Sequence, residues 1–117
     1  VINIDGERTI LPITEIRSNN EFFDFNAKYN GESDEITPGE LSTNEVTDIH
    51  KMINTIYDNI NLSGITRSEI ILVDGIPHII ETNTIPGFTK QSIVPQQIKA
   101  AGFSIKEIIE NQIKSLL

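Results

Sequence analysis

Cysteine is absent from this 117-residue chain, tryptophan is absent too, and methionine occurs once. Without thiols there is no disulfide framework, no thiolate zinc site and no cysteine nucleophile. Imidazole is almost as scarce, being confined to His50 and His78, so any metal held by these residues is a hard, oxygen-seeking cation. Basic residues are few: nine Lys and Arg face seventeen Asp and Glu, for a net charge of −8 and a pI near 4.6. That balance removes any general attraction to nucleic acid or to an anionic bilayer. No apolar run approaches the roughly 18–20 residues that span a membrane. No charged-then-apolar leader opens the chain. The expectation is a cytoplasmic protein of one domain at most, with neither nucleic acid nor membrane as a partner.

What is abundant is isoleucine, with 23 copies, followed among unusual residues by asparagine with 11. Branched apolar volume on that scale supplies a core and favours strands. The chain opens at Val1 inside an apolar alternation, which reads as a piece cut from a longer protein. Val1 to Ile4 and Thr9 to Ile16 read as strands about an Asp5-Gly6 turn, with Pro12 demoting part of the second to an edge. Phe23, Phe25, Ala27 and Tyr29 alternate with Asp24, Asn26 and Lys28 as another strand, closed by Asn30-Gly31. From there to Lys51 only acids carry charge (Glu32, Asp34, Glu35, Glu40, Glu45 and Asp48), and the stretch before the first helix reads as a solvated acidic loop.

Two helices announce themselves by the same device. Ser42 and Glu45 make a Ser-x-x-Glu capping box with Leu41 and Val46 as its hydrophobic staple. Ile49, Ile53, Ile56, Tyr57 and Ile60 follow at helical spacing until Ser63-Gly64. Ser104 and Glu107 repeat the box, with Phe103 and Ile108 as staple, and a shorter helix after Pro95 stops at Gly102. Between them, Ile65 to Leu72 and Ile76 to Asn83 form a β-branched hairpin about Val73-Asp74-Gly75. The fold class is therefore α+β, a mainly antiparallel sheet with helices packed on one face.

The hairpin carries Arg67, Glu69, Glu81 and Asn83 within otherwise core-like strands. A two-residue Asp74-Gly75 turn would put Glu69 and Glu81 on opposite faces. A three-residue loop, with Gly75 in a left-handed bulge position, would oppose Arg67 to Glu81 and send Glu69, Glu81 and Asn83 to one face. Both loops are sterically open. In the second case two carboxylates and an amide converge, and a cation between them relieves their repulsion. Mg²⁺ meets that need, because it takes oxygen ligands and is usually completed by water and phosphate. On spacing alone, a cross-strand Arg67–Glu81 salt bridge is the plainer reading.

The run Glu81-Thr82-Asn83-Thr84-Ile85-Pro86-Gly87 shifts that balance. With Arg67-Ser68-Glu69 before it, it resembles the D-alanine–D-alanine ligases of the ATP-grasp superfamily. The resemblance extends to Phe22-Phe23-Asp24-Phe25-Asn26-Ala27-Lys28-Tyr29, to Ile36-Thr37-Pro38, and to Ser92-Ile93-Val94-Pro95 with Ala100-Ala101-Gly102. It implies that residues 1–117 are the C-terminal half of an ATP-grasp domain, with no internal boundary. It further implies a pair of Mg²⁺ (or Mn²⁺) ions, ATP as co-substrate, D-alanine as substrate and a homodimeric parent whose N-terminal segments complete the site. Glu69 and Glu81 would hold one metal, and Glu81 with Asn83 the second. Lys28 would contact the ATP phosphates and Tyr29 would help close the site. Arg67 and the Gly87 N–H would stabilise the tetrahedral species, and Ser92 would hold the acceptor's carboxylate.

Glu69 stands where Asp is commoner in that family, and Lys90-Gln91 replaces the small or imidazole residues frequent before the serine. The adenine-holding residues lie upstream of this chain, so the chain alone is expected to be inactive. His50 and His78 match no family role. Two further readings stand beside the ligase: an ATP-grasp enzyme with another acceptor, such as D-lactate, and a non-catalytic acidic module that keeps the fold.

Overall fold

A computed structural model describes residues 1–18 and 33–117. The elements in chain order are β1 (Ile2–Ile4), β2 (Glu7–Thr9), β3 (Glu15–Ser18), β4 (Ser33–Ile36), α1 (Thr43–Ile60), β5 (Arg67–Val73), β6 (Ile76–Asn83), α2 (Ile93–Ala100) and α3 (Ile105–Leu116). The strands form three antiparallel pairs, β1–β2, β3–β4 and β5–β6. The architecture is α+β as the sequence implies, with the strands in ribbons among the described residues.

Both capping boxes form. The Ser42 hydroxyl accepts from the Glu45 N–H at 3.2 Å, and the Glu45 carboxylate accepts from the Ser42 N–H at 2.8 Å. Ser104 and Glu107 repeat these bonds at 3.2 and 2.8 Å. Each box satisfies two N–H groups that the first helical turn leaves without partners. The Ser104 bonds hold the Glu107 carboxyl below its ordinary range. α2 begins at Ile93, two residues before Pro95. Proline is tolerated there because a first-turn N–H has no partner within the helix.

Two expectations change. Part of the acidic stretch, Ser33–Ile36, is a strand, because it pairs with Glu15–Ser18 and sets Arg17 opposite Asp34. The apolar run from Thr9 to Ile16 is not one strand: β2 ends at Thr9, β3 starts at Glu15, and Pro12 lies in the link. The expected Phe23–Tyr29 strand and the Asn30-Gly31 turn lie outside the described residues.

The core has two centres. Ile2, Leu11, Val94, Ile98 and Ile108 are buried together and join β1 to α2 and α3. Ile49, Ile53 and Tyr57 of α1 form the other, against Val1, Ile70 and Leu72. Each fully buried Ile contributes about 1.5–3 kcal/mol relative to exposure. One face of the β5–β6 hairpin therefore rests on α1, which leaves its other face free to carry polar groups. Val1 and Thr66 exchange both main-chain hydrogen bonds, at 2.9 and 3.0 Å, and so tie the first hairpin to the foot of β5.

Candidate functional site

The β5–β6 hairpin turns through two residues, with Val73 opposite Ile76. Asp74 has φ 51° and Gly75 φ 77°, the left-handed pair of a turn whose twist matches its strands. The three-residue loop considered from sequence is not formed, and Arg67 does not oppose Glu81. The extra residue lies further along. Ile70 pairs with Ile79 and Glu69 with Glu81, so Ile80 is a bulge with no partner of its own. One inserted residue reverses the facing of every later residue in the strand. Arg67 then opposes Asn83, Glu69 opposes Glu81, and all four residues share the face turned away from α1.

Arg67 Nη2 donates to Glu69 Oε1 at 2.7 Å, with both side chains about four-fifths buried, at 20% and 22% exposure. The ion pair runs along one strand, not across to Glu81 as the plain salt-bridge reading had it. Arg67 Nε is buried without a partner. Glu81 is exposed and Asn83 half-buried. Two like charges directly opposed in a ladder destabilise it, and Arg67 offsets only one of them.

Beside these groups runs a cleft of about 750 Å³, lined by Arg67, Glu69 and Glu81, by Glu15, Ile16 and Ser18 of β3, and by Ile93 and Gln97 of α2. Ile71 and Ile80 also line it and are 51% and 62% exposed. This apolar wall was missed in the sequence, where both residues look like ordinary strand core. Their only signal was an unbroken apolar run in strands that also carry charge.

The run after β6 brings Gly87 against Ser92. A Cβ on Gly87 would lie 3.2 Å from Ser92 Oγ, closer than most side chains tolerate. Ser92 is the N-cap of α2, yet its hydroxyl does not cap the helix. It accepts instead from the Thr89 N–H at 3.0 Å and pairs with the Thr89 hydroxyl at 2.8 Å. Lys28 and Tyr29 lie outside the described residues. His50 is half-buried on α1 and His78 exposed on β6 opposite Ile71.

Among the described residues no three acidic or imidazole groups converge. The oxygen set is two opposed carboxylates and the Asn83 amide, with one Glu69 oxygen already on Arg67. That set fits Mg²⁺, which keeps several positions for water and phosphate.

An acid-bearing antiparallel hairpin, backed by a helix and followed by a Pro-Gly turn into α2, is the C-terminal half of an ATP-grasp fold. The chain matches the family described as D-ala D-ala ligase C-terminus over residues 1–114, and it belongs to that family. It is 46% identical over 114 residues to the D-alanine–D-alanine ligase of Flavobacterium johnsoniae, covering 97% of this chain and 35% of that protein. Against the D-alanine–D-alanine ligase of Parabacteroides distasonis it is 44% identical over 117 residues, covering 96% of this chain and 36% of that one. The Bacillus anthracis D-alanine–D-alanine ligase complexed with ATP superposes with a TM-score of 0.72 at 30% identity, over 90% of this chain and 34% of that structure. The chain thus spans about a third of the length of the relatives it matches.

Proposed function

We propose that residues 1–117 are the C-terminal part of an ATP-dependent D-alanine–D-alanine ligase, supplying its metal-binding and acceptor side in the cytoplasm for peptidoglycan synthesis. The observation that carries this reading is the pairing of Glu69 with Glu81, which sets Arg67 and Asn83 on the same face.

In the reaction, a D-alanine carboxylate attacks the γ-phosphorus of ATP, giving an acyl phosphate and ADP. The amine of a second D-alanine adds to the acyl carbon, and phosphate leaves as the peptide bond forms. Such transfer depends mainly on positioning and charge neutralisation. Glu69, Glu81 and Asn83 would hold a pair of Mg²⁺ ions, whose chemistry is to neutralise phosphate oxygens. Arg67, kept in place by Glu69, points its remaining N–H groups at the negative charge of the tetrahedral species, and the Gly87 N–H does the same. Ser92 receives the acceptor's carboxylate beside the first turn of α2, where anions are favoured. Ile71 and Ile80 give the cleft an apolar wall beside these charged groups. Lys28 steadies the phosphates and Tyr29 closes the site. Holding ATP and two D-alanines in line is worth several kcal/mol of barrier, and this chain supplies one wall of that arrangement.

The test is phosphate release with ATP, Mg²⁺ and D-alanine. The full-length parent should release phosphate and form the dipeptide, its Glu81→Gln variant should lose activity at least about a thousandfold while staying folded, and the 117-residue chain alone should be inactive. A fully active variant, or D-lactate serving the parent better than D-alanine as acceptor, overturns the assignment.

A further inference from the structure

One amide side chain joins the loop before α2 to the β3–β4 ribbon. Gln96 lies half-buried in the first turn of α2. Its Nε2 donates to Glu35 Oε2 on β4 at 2.8 Å and to the Gln91 carbonyl at 3.0 Å. Both neighbours are acceptors and the NH₂ group has two hydrogens to give, so the amide can face them in one orientation only. The bond to Glu35 links residues 61 apart in sequence and ends on a carboxylate, which makes it one of the stronger kind.

Each end of this tether touches a part that ligation needs. Gln91 immediately precedes Ser92, whose hydroxyl accepts from the Thr89 N–H instead of capping α2. Gln96 therefore pins the main chain at the residue before that serine. It grips a carbonyl, so the unusual Lys90-Gln91 side chains do not weaken it. At the other end, β4 pairs with β3, and the segment joining those two strands carries Lys28 and Tyr29. That ribbon is stiffened from within: Arg17 bonds both Glu15 and Glu40, and beside it Thr14 bonds Thr37. Its root is packed through Ile13, yet Ile16 and Ile36 belong to neither core cluster among the described residues. A stiff ribbon with so little apolar anchorage takes its place against α2 in part from the Gln96 bond.

We propose that Gln96 is a positioning residue for ligation, setting Ser92, and with it the acceptor's carboxylate, at a fixed place relative to the ribbon that bears Lys28 and Tyr29. It acts through Ser92 and touches no reacting atom. The acceptor half of the site and its closing half are registered to each other through one amide. This rests on the reading of Ser92, Lys28 and Tyr29 as ligase residues under the proposed function.

Kinetics of the full-length parent test the tether. Gln96→Met keeps the length and helix preference of the side chain and removes both donors. The KM for D-alanine should rise about fivefold or more, with kcat and the KM for ATP changed less than about twofold. Glu35→Ala leaves the Gln91 bond in place and should raise the same constant, and adding it to Gln96→Met should raise it no further. Gln96→Glu sets two carboxylates face to face and should be the most damaging single change. Adding Glu35→Gln to it restores a donor between ribbon and helix and should recover most of the loss, a rescue that mere destabilisation would not show. An unchanged KM in Glu35→Ala, equal losses in kcat and both KM values, or no recovery in the exchanged pair overturns the proposal. Hydrogen exchange keeps the two readings apart. In the nucleotide-free parent, Glu35→Ala should speed exchange of the Thr89 and Ser92 amides by about threefold or more. Faster exchange in a parent that releases no phosphate refutes the reaction and leaves the tether standing, whereas ligation with unaltered exchange and KM refutes the tether alone.

Discussion

Glu69 and Glu81 stand directly opposite each other on the β5–β6 ladder, as closest cross-strand neighbours of like charge. Arg67 takes one oxygen of Glu69 at 2.7 Å, and among the described residues no Lys or Arg forms an ion pair with Glu81. The hairpin is therefore under electrostatic tension wherever no divalent ion or phosphate assembly is bound.

Relief of that tension is measurable in the 117-residue chain. Glu81→Gln should stabilise it by about 0.2–1 kcal/mol in metal-free buffer, the range for cross-strand charge pairs. Urea melts with chelator present read this. A loss of stability would show that the two carboxylates do not repel. The same substitution that is expected to end turnover in the parent should thus make the isolated chain more robust.

Gly87→Ala probes the contact with Ser92. The new Cβ would sit 3.2 Å from Ser92 Oγ and push the hydroxyl off its bonds to Thr89. In the full-length parent the KM for D-alanine should rise by about tenfold or more, about 1.4 kcal/mol, with the KM for ATP unchanged. Equal changes in both constants would place Gly87 elsewhere than at the acceptor.

Prepared as an isolated 117-residue chain, the protein carries a free amine at Val1 that gives a dependence on pH. Burial pushes it from 8.0 down to about 6. Between those values the unfolded chain binds a proton that the folded chain refuses, so stability rises from about pH 6 to pH 8 and is insensitive to this group outside that window. The comparison is with the Nα-acetylated chain, in which the rise should shrink. Identical profiles for the two would mean that the amine is hydrated when folded.

Tyr57 is 1% exposed and its hydroxyl has no partner, while burial pushes its pKa up to about 12. An unpartnered buried polar group costs about 1–3 kcal/mol. Tyr57→Phe keeps the ring under the Arg8 guanidinium, 5.0 Å from its centroid, and should raise stability or leave it unchanged. A loss above about 1 kcal/mol in thermal or urea melts would reveal a partner for the hydroxyl.

The sequence shows most clearly whatever is decided within a few residues. Ser42 with Glu45 and Ser104 with Glu107 were readable as capping boxes because both halves of each box lie within one turn of helix. The β4 strand was not readable: Ser33 to Ile36 pairs only through Glu15 to Ser18, across a long intervening segment. The hairpin shows a subtler limit. A shared face for Glu69 and Glu81 was one of two open registers, but the loop imagined at Gly75 is really a bulge at Ile80. Moving one extra residue along a strand leaves composition and periodicity almost unaltered, so only the completed ladder reveals it. The apolar wall of Ile71 and Ile80 escaped for another reason, since an isoleucine lining a cleft and one in a core are the same letter. The functional roles came from matching residues to a known run, and spacing alone would have favoured a salt bridge.

The last helix reaches back to the first hairpin. Asn111 bonds Asp5 through two contacts, at 3.2 and 2.7 Å, and Gln112 donates to the Asn3 carbonyl at 2.6 Å. Ile108 meets Ile2 in the same cluster. During synthesis these partners leave the ribosome at opposite ends of the unit, and elongation at about 5–20 residues per second separates their appearance by several seconds. Until α3 emerges, β1 lacks its final partners and the acidic hairpin stands on a half-built base. The unit therefore closes last to first, and a nonsense mutation even a few codons before Asn111 would leave a chain that has made its acidic hairpin and α1 but lacks the helix that clasps β1.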